Sequence, residues 1–262
     1  MRLSLIFIAL VFVTGAFAFL TGSITSHGLT PSPTATASPT PPPFTPASLS
    51  GLSLWLDASN SPSITKNGSN QVSQWNDLSG GSNNATQGTT AAKPIYSATS
   101  FNSALPGLTT SGTGQGMSFP NINISLPTIV FVAEFAGSSL GFWLSDSSNG
   151  NWIGFGPAQL NINQGANYAF KVSPGLSTGV PYLLVIQPNT TTTAAASYNG
   201  IAVAPLTHSG TFSSWNFAFL FNEALLDAGF SVTLSEIEIY NRALTAPEIT
   251  QLSTYEHAKW GF

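Results

Sequence analysis

The chain has 262 residues, with 6 basic and 10 acidic side chains, a net charge of −4 and no cysteine. Charged residues are 6% of it, against roughly 25% in an average globular protein, so Ser, Thr, Asn and Gly must cover the surface. The composition excludes disorder driven by charge, nucleic-acid binding through a Lys/Arg cluster, and zinc-thiolate or cysteine-nucleophile chemistry.

Residues 1–18 read as a secretory signal peptide. Met1-Arg2 precedes an apolar run from Leu3 to Val13, and Ala16-Phe17-Ala18 offers a cleavage site after Ala18. The alternative is an uncleaved membrane anchor. Leu3 to Leu20 is 18 residues, at the short end of the roughly 20 that span a bilayer. Either reading puts the rest of the chain outside the cytoplasm, secreted or at the cell surface, with membrane contact only through an uncleaved segment. Residues 19–48 follow as a linker rich in Pro, Thr and Ser, including Thr40-Pro-Pro-Pro43. Such a run buries little apolar area and favours extended backbone.

From Leu49 to Phe262 the chain reads as one globular all-β domain. About 200 residues bury roughly 70% of their unfolded surface, enough to stand without disulfides. Leu52-Ser-Leu-Trp55-Leu-Asp57 opens it, and Trp75-Asn-Asp77-Leu-Ser-Gly80 follows. Thr128 to Ala133 and Tyr182 to Ile186 are continuously apolar, as strands covered on both faces are. Ala195 to Tyr198 and Ile201 to Ala204 flank Asn199-Gly200, a pair suited to a type I′ hairpin turn. Phe217, Phe219 and Phe221 alternate, which predicts three rings on one face. Ser231 to Tyr240 alternates with a phase slip near Ser235 that a β-bulge would explain. Thr245 and Glu248 form a capping box with Pro247 in the first helical turn. Ile249, Leu252 and Tyr255 then share a helical face, and Trp260 is expected to pack back on a sheet.

These pieces, in this order, resemble the laminin-G-like, concanavalin-A-like jelly rolls of bacterial and phage surface proteins. The resemblance rests on Leu54-Trp-Leu-Asp57-Ala58, Trp75-Asn-Asp77-Leu-Ser-Gly80 with Asn83-Asn84-Ala85, and Lys93-Pro94. It continues through Tyr198-Asn-Gly200, Glu236-Ile-Glu-Ile-Tyr240-Asn-Arg242-Ala-Leu244, Glu248-Ile249 and Ala258-Lys-Trp-Gly261. It implies a two-sheet antiparallel β sandwich with a short C-terminal helix, whose first and last strands meet. Trp55, Asp57, Trp75, Asp77, Glu236, Tyr240 and Arg242 are its structural motif. Glycan or protein binding is implied only loosely, because this fold hosts many functions.

The pair Glu236 and Glu238 tempts an enzymatic reading. Alternate strand residues share a face, and retaining glycosidases place two carboxyls about 5 Å apart. No third acid follows in register, since the next such position is Tyr240. The competing expectation is that Glu236 pairs with Arg242 or orders the corner. His27, His208 and His257 are scattered and have no partner at metal spacing. No Gly-x-Ser-x-Gly elbow supports a hydrolytic triad.

The expected cofactor is none, or weakly bound calcium in the loop Asp146-Ser-Ser-Asn149-Gly-Asn151. The favoured reading of the same loop is an ordinary Asn/Gly turn. Asp57 and Asp77 are expected to accept backbone amides. Any of Trp55, Trp75, Trp143, Trp152 and Trp215 could stack on sugar if exposed, and Trp55 and Trp75 read as core. Trp152 and Trp215, beside turns, are the candidates for stacking on sugar, with Asn149 and Asn151 as polar partners. Sequons begin at Asn67, Asn84, Asn123 and Asn189 and matter only in a host that glycosylates secreted proteins. The expectation is therefore an exported, non-catalytic recognition domain whose partner is a glycan or an extracellular protein. The alternatives are a structural or adhesion domain of a cell envelope or phage particle, and a jelly-roll glycoside hydrolase.

Overall fold

The structure, a computed structural model, describes residues 43–111, 114–137, 141–146, 150–156, 159–164, 176–188, 193–203, 206–207, 214–221 and 231–262. The signal-peptide reading, most of the linker, His27, Asn149, Asn189 and His208 lie outside the described residues. The compact unit that holds all described residues runs from Pro43 to Phe262. Phe44 packs edge-on against Tyr255, and a single turn at Pro46–Ser48 follows.

In chain order the first strands are β1 (Leu52–Asp57), β2 (Ile64–Lys66), β3 (Val72–Trp75), β4 (Ala85–Thr86), β5 (Ile95–Phe101) and β6 (Leu105–Ser111). Next come β7 (Met117–Ile124), β8 (Thr128–Phe135), β9 (Gly141–Ser145), β10 (Asn151–Gly156), β11 (Gln159–Gln164) and β12 (Pro181–Pro188). The last are β13 (Thr193–Tyr198), β14 (Ile201–Ala202), β15 (Leu206–Thr207), β16 (Trp215–Leu220) and β17 (Ser231–Tyr240), before the helix α1 (Ala246–Trp260). They form two antiparallel sheets. Sheet A has the order β14-β13-β12-β8-β17-β6-β5, with β1 also on β17 and β15 on β13. Sheet B has the order β11-β10-β9-β16-β7-β4-β3-β2. The protein is a two-sheet antiparallel β sandwich of jelly-roll type with one helix at its C-terminal end.

The two ends of the domain meet as expected: Leu54 lies opposite Ile239, Leu56 opposite Ile237, and Asp57 opposite Glu236. On its other edge β17 pairs along its length with β8. The slip at Ser235 is a bulge between Leu234 and Glu236. It has a purpose in the topology. Residues before it pair with β6, and residues after it pair with β1. The Ser235 carbonyl accepts the Ala58 amide at 2.8 Å and its hydroxyl donates to the Pro106 carbonyl at 2.8 Å. The extra residue is therefore satisfied although fully buried.

Between the sheets, Phe131 of β8 meets Trp143 and Phe155 of sheet B edge-on, with ring centroids 5.6 and 5.7 Å apart. Leu54, Ile237, Ile239, Ile153, Ile162 and Phe217 extend this core, all fully buried. The Asn199-Gly200 turn has φ of 49° and 78°, the positive pair that a type I′ hairpin requires. One expectation fails. Phe217 and Phe221 are buried, but a shift in the β16–β7 register lies between Phe217 and Phe219. Leu220 then takes the inward position, and half-buried Phe219 lands opposite Ser118 and Ser145. Strict alternation across an irregular strand mispredicts that ring.

The outer face of sheet A carries α1. Glu248 Oε2 accepts the Thr245 amide at 2.8 Å and its hydroxyl at 2.9 Å, which closes the helix start from the Glu248 side. Gly261 ends the helix at φ 73°, with its amide on the His257 carbonyl. Leu252, Glu256 and Trp260 form the buried stripe.

Gly116 supports the packing of β7 against the end of β16. A Cβ there would collide with the Phe221 backbone carbonyl, which has no rotamer to escape into. Gly116→Ala is expected to cost about 3 kcal/mol in urea unfolding; a loss of a few tenths would show that the Phe221 segment yields freely.

Candidate functional site

Two surfaces of the sandwich carry polar chemistry. The first lies under α1. β1 and β17 present Asp57, Trp55, Glu236 and Glu238 on the outer face of sheet A, since Asp57 pairs with Glu236 and Trp55 with Glu238. The helix lays Glu256, Lys259 and Trp260 over them. Glu236, Glu238 and Glu256 are all fully buried. Glu236 receives three donors at 2.6 Å: Trp55 Nε1 on Oε1, and Trp260 Nε1 and Lys259 Nζ on Oε2. Lys259 Nζ also donates to Asp57 Oδ2 at 2.8 Å. Asp57 Oδ1 accepts the Ser59 amide and hydroxyl at 2.7 and 2.6 Å. The Lys259 ammonium lies 5.1, 5.4 and 5.9 Å from the ring centroids of Trp260, Tyr255 and Trp55.

Four carboxyls therefore crowd around one ammonium, which pairs directly with Glu236 and Asp57. Carboxyl oxygens of Glu236, Glu238 and Glu256 come within 4.8 Å of one another. Charged, Glu238 would have no donor on either oxygen, and Glu256 none on Oε1. Protonated, they can donate to each other. Burial pushes Glu238 well above the ordinary carboxyl range, and the neighbouring Glu236 charge pushes it further. Burial does the same for Glu256, followed by Glu238 and Glu236. Burial also raises Glu236, opposed by Lys259. For Lys259, burial disfavours the charge, but Glu236 and Asp57 outweigh it and hold the group above the usual lysine range. The groups that point into the cluster are N–H donors, which suit carboxylates and shared protons better than a metal ion.

This geometry corrects the pairing expected for Glu236. Its cation is Lys259, not Arg242. Arg242 makes a two-pronged pair with Glu248 at 2.7 and 2.9 Å, and its Nε donates to the Ser50 carbonyl. Arg242 holds the partly exposed Glu248 carboxyl down at about 2, helped by the Thr245 amide. Tyr240 is fully buried and donates to the Pro46 carbonyl at 3.2 Å. Trp75 is core, and its Nε1 donates to the Asp57 carbonyl. Asp77 accepts the amides of Trp55, Ser79 and Asn83, each at 2.9 Å. Sequence reasoning missed Glu256 as a buried group and Lys259 as its neighbour's partner. The signal was there: Leu252, Glu256 and Trp260 repeat every fourth residue, so Glu256 had to share the buried stripe.

The second surface is the face of sheet B turned away from sheet A. Register places one row of side chains across all eight strands of this sheet. Thr65 pairs with Gln74, Gln74 with Thr86, and Thr86 with Ser118. Ser118 pairs with Phe219, Phe219 with Ser145, Ser145 with Trp152, and Trp152 with Asn163. No member is charged. Trp152 is half-buried, and its ring leans over Gly154: a Cβ there would come within 3.3 Å of the indole. Asn161 lies opposite Gly154. The side-chain oxygens of Asn161 and Asn163 are buried without a hydrogen-bond partner. Asn216 and Asn123 pair beside the row, and a cleft of about 100 Å³ opens between Gln87, Ser118 and Phe219.

Of the residues expected to contact ligand, Trp152 and half-buried Asn151 start β10. Trp215 is corrected: it points into the core, fully buried and stacked on Phe217 at 5.6 Å. Its β-strand position, not the adjacent Ser-rich turn, decides its direction. In the calcium candidate, Asp146 is buried and its two oxygens accept the amides of Gly150 and Asn151 at 2.9 and 3.1 Å. That is the ordinary use of Asp in a tight turn.

A groove of about 450 Å³ also opens between α1 and strands β12 to β14, lined by Val185, Ala195, Ser197, Ile249, Thr250 and His257.

No family model matches the chain, and no curated protein matches it. Its fold is similar to domain 4 of AbnA, a GH43 extracellular arabinanase from Geobacillus stearothermophilus, in complex with arabinotriose. That similarity has a TM-score of 0.55 at 16% identity and covers 77% of this chain and 98% of that one. The binding domain of Paraclostridial Mosquitocidal Protein 1 aligns at TM-score 0.55 and 14% identity, over 78% of this chain and 52% of that chain. Trypanosoma rangeli sialidase aligns at 0.52 and 18% identity, over 80% of this chain and 35% of that one. The chain spans about half of the second protein and a third of the third. At such identities the likeness establishes the sandwich fold alone.

The acid cluster sets a pH dependence. Glu238 and Glu256 bind their protons more tightly folded than unfolded, so their contribution is complete below the ordinary value of 4.5. It is lost as pH rises toward their raised folded values, by up to about 1.4 kcal/mol per pH unit for each proton retained. Unfolding free energy should therefore fall from pH 5 upward, and Glu238→Gln should flatten that slope. Parallel slopes for wild type and variant in urea titrations would mean that Glu238 is not the proton carrier.

Proposed function

We propose that the chain is an exported, non-catalytic recognition domain of laminin-G-like type that binds neutral glycan on the open face of sheet B. The observation that carries this reading is the row from Thr65 to Asn163: hydroxyls, amides and two half-buried aromatic rings, with no charge. A neutral sugar presents hydroxyls that need amide and hydroxyl partners, and C–H faces that stack on rings. Trp152 and Phe219 supply the rings. Asn161 and Asn163 supply acceptors that folding leaves without donors. A charged ligand would gain nothing along this row.

The non-catalytic part rests on access. Glu236 and Glu238 are fully buried beneath α1, so no substrate reaches them while the helix is seated. The export part rests on residues 1–18. The arabinotriose complex of the similar domain belongs to that protein; it lends the reading support by analogy only.

A panel of neutral and acidic polysaccharides, presented to the purified chain with and without calcium, tests this. Neutral glycans should bind, calcium should leave the signal unchanged, and Trp152→Ala should weaken binding by about tenfold or more. Binding confined to acidic glycans, or indifferent to Trp152→Ala, would remove the face from consideration.

A further inference from the structure

We propose that Lys259 and Asp57 condense to an intramolecular amide that covalently joins the helix α1 to strand β1, with Glu236 as the proton-transfer group. The inference stands on three contacts. Lys259 Nζ lies 2.8 Å from Asp57 Oδ2. Because that oxygen is bonded to Cγ, the nitrogen is within about 4 Å of the carbon it would attack. Glu236 Oε2 lies 2.6 Å from the same nitrogen. Asp57 Oδ1 accepts both the Ser59 amide and the Ser59 hydroxyl, at 2.7 and 2.6 Å.

These contacts assign the roles. Glu236 takes a proton from the ammonium and frees the nitrogen lone pair. Its burial makes it a stronger base than a surface carboxylate. Glu236 passes that proton to Oδ2, so that Asp57 becomes a neutral carboxyl, and the lone pair then attacks Cγ, forming the C–N bond. Negative charge moves to Oδ1, where the two Ser59 donors stabilise it. Collapse of this intermediate breaks the bond from Cγ to Oδ2. The two protons lost by nitrogen travel through Glu236 to Oδ2, which leaves as water. An ammonium and a carboxylate become an amide and a water, so no oxidant or co-reactant is needed. Asp57 is the acyl partner rather than Glu236 because both Glu236 oxygens are held by indole N–H groups, from Trp55 and Trp260.

The site also favours the product. Condensation removes one buried charge of each sign, and with them their desolvation cost. Glu236 keeps its three donors, because the new amide N–H replaces the ammonium. The rings of Trp55, Tyr255 and Trp260 flank the reacting nitrogen and shield it in part from water. Among chains without cysteine, such a bond does what a disulfide would do: it closes a loop spanning nearly the whole domain.

Intact-mass measurement of the purified folded chain tests this, followed by proteolysis and fragment sequencing. The expected mass is lower than calculated by one water, with one branched peptide that joins the Asp57 and Lys259 segments. Lys259→Arg and Glu236→Gln should both return the full calculated mass. The wild-type result decides even if a variant fails to fold. A full calculated mass for the wild type overturns the proposal. So does a water loss confined to the Asp57 peptide with Lys259 unlinked, which would be cyclisation at Asp57 alone.

Discussion

A carboxylate sealed from water must find donors, and Glu236 finds them in three places at once. Trp55 comes from the first strand, Lys259 and Trp260 from the last helix, while Glu236 itself sits on the last strand. Removing any one of them leaves charge exposed to a low-dielectric interior, which costs several kcal/mol. That penalty is what ties the two ends of the chain together. The pairing of β1 with β17 supplies hydrogen bonds that many registers could supply. The acid supplies the reason for one register: only with Asp57 opposite Glu236 do both carboxylates reach the same ammonium.

The same constraint accounts for an odd distribution of charge. Of the chain's ten acidic residues, Asp57, Glu236, Glu238 and Glu256 lie together in the interior. Among the described residues, Lys66, Asp77, Lys93, Glu134, Arg242 and Glu248 lie at or near the surface, away from this cluster. Shared protons make this tolerable, because a protonated carboxyl donates to its neighbour instead of repelling it. The helix start is organised around a second, separate charge pair, Arg242 with Glu248, at the surface. A partly exposed pair of this kind contributes little energy. Its use is directional: it sets where β17 ends and α1 begins.

What the amino-acid sequence made legible is what local chemistry decides. Asn199-Gly200 needs positive φ at both positions, and few arrangements other than a type I′ turn use that. Thr245, Pro247 and Glu248 specify a helix start through contacts three residues apart. The bulge at Ser235 was visible because apolar alternation slipped a phase there. The failures share one cause. Trp215 and Phe219 lie on the same strand, and which of them faces the core depends on an irregular register with β7. No residue near either ring announces that irregularity. Glu236 presented the subtler problem. Its carboxyl had two candidate cations, Arg242 close in sequence and Lys259 a helix away. The nearer one lost because β17 ends between Glu236 and Arg242 and the chain turns a corner there, while α1 doubles back over the sheet.

The two outer faces of the sandwich thus handle polarity in opposite ways, and the helix is the reason. α1 spends its one apolar stripe on sheet A, and it covers every carboxylate that β17 presents there. Sheet B receives no such cover from the described residues. Its outer row is made of hydroxyls, amides, Trp152 and Phe219, with Ser145 fully buried among them. A charged residue anywhere on that row would be cheap for a bare surface, since exposed Lys and Glu aid solubility. Their absence along eight strand positions follows from a composition in which charged residues are only 6%. Polarity on this face therefore comes from hydroxyls and amides, which act by hydrogen bonding at short range rather than by long-range attraction.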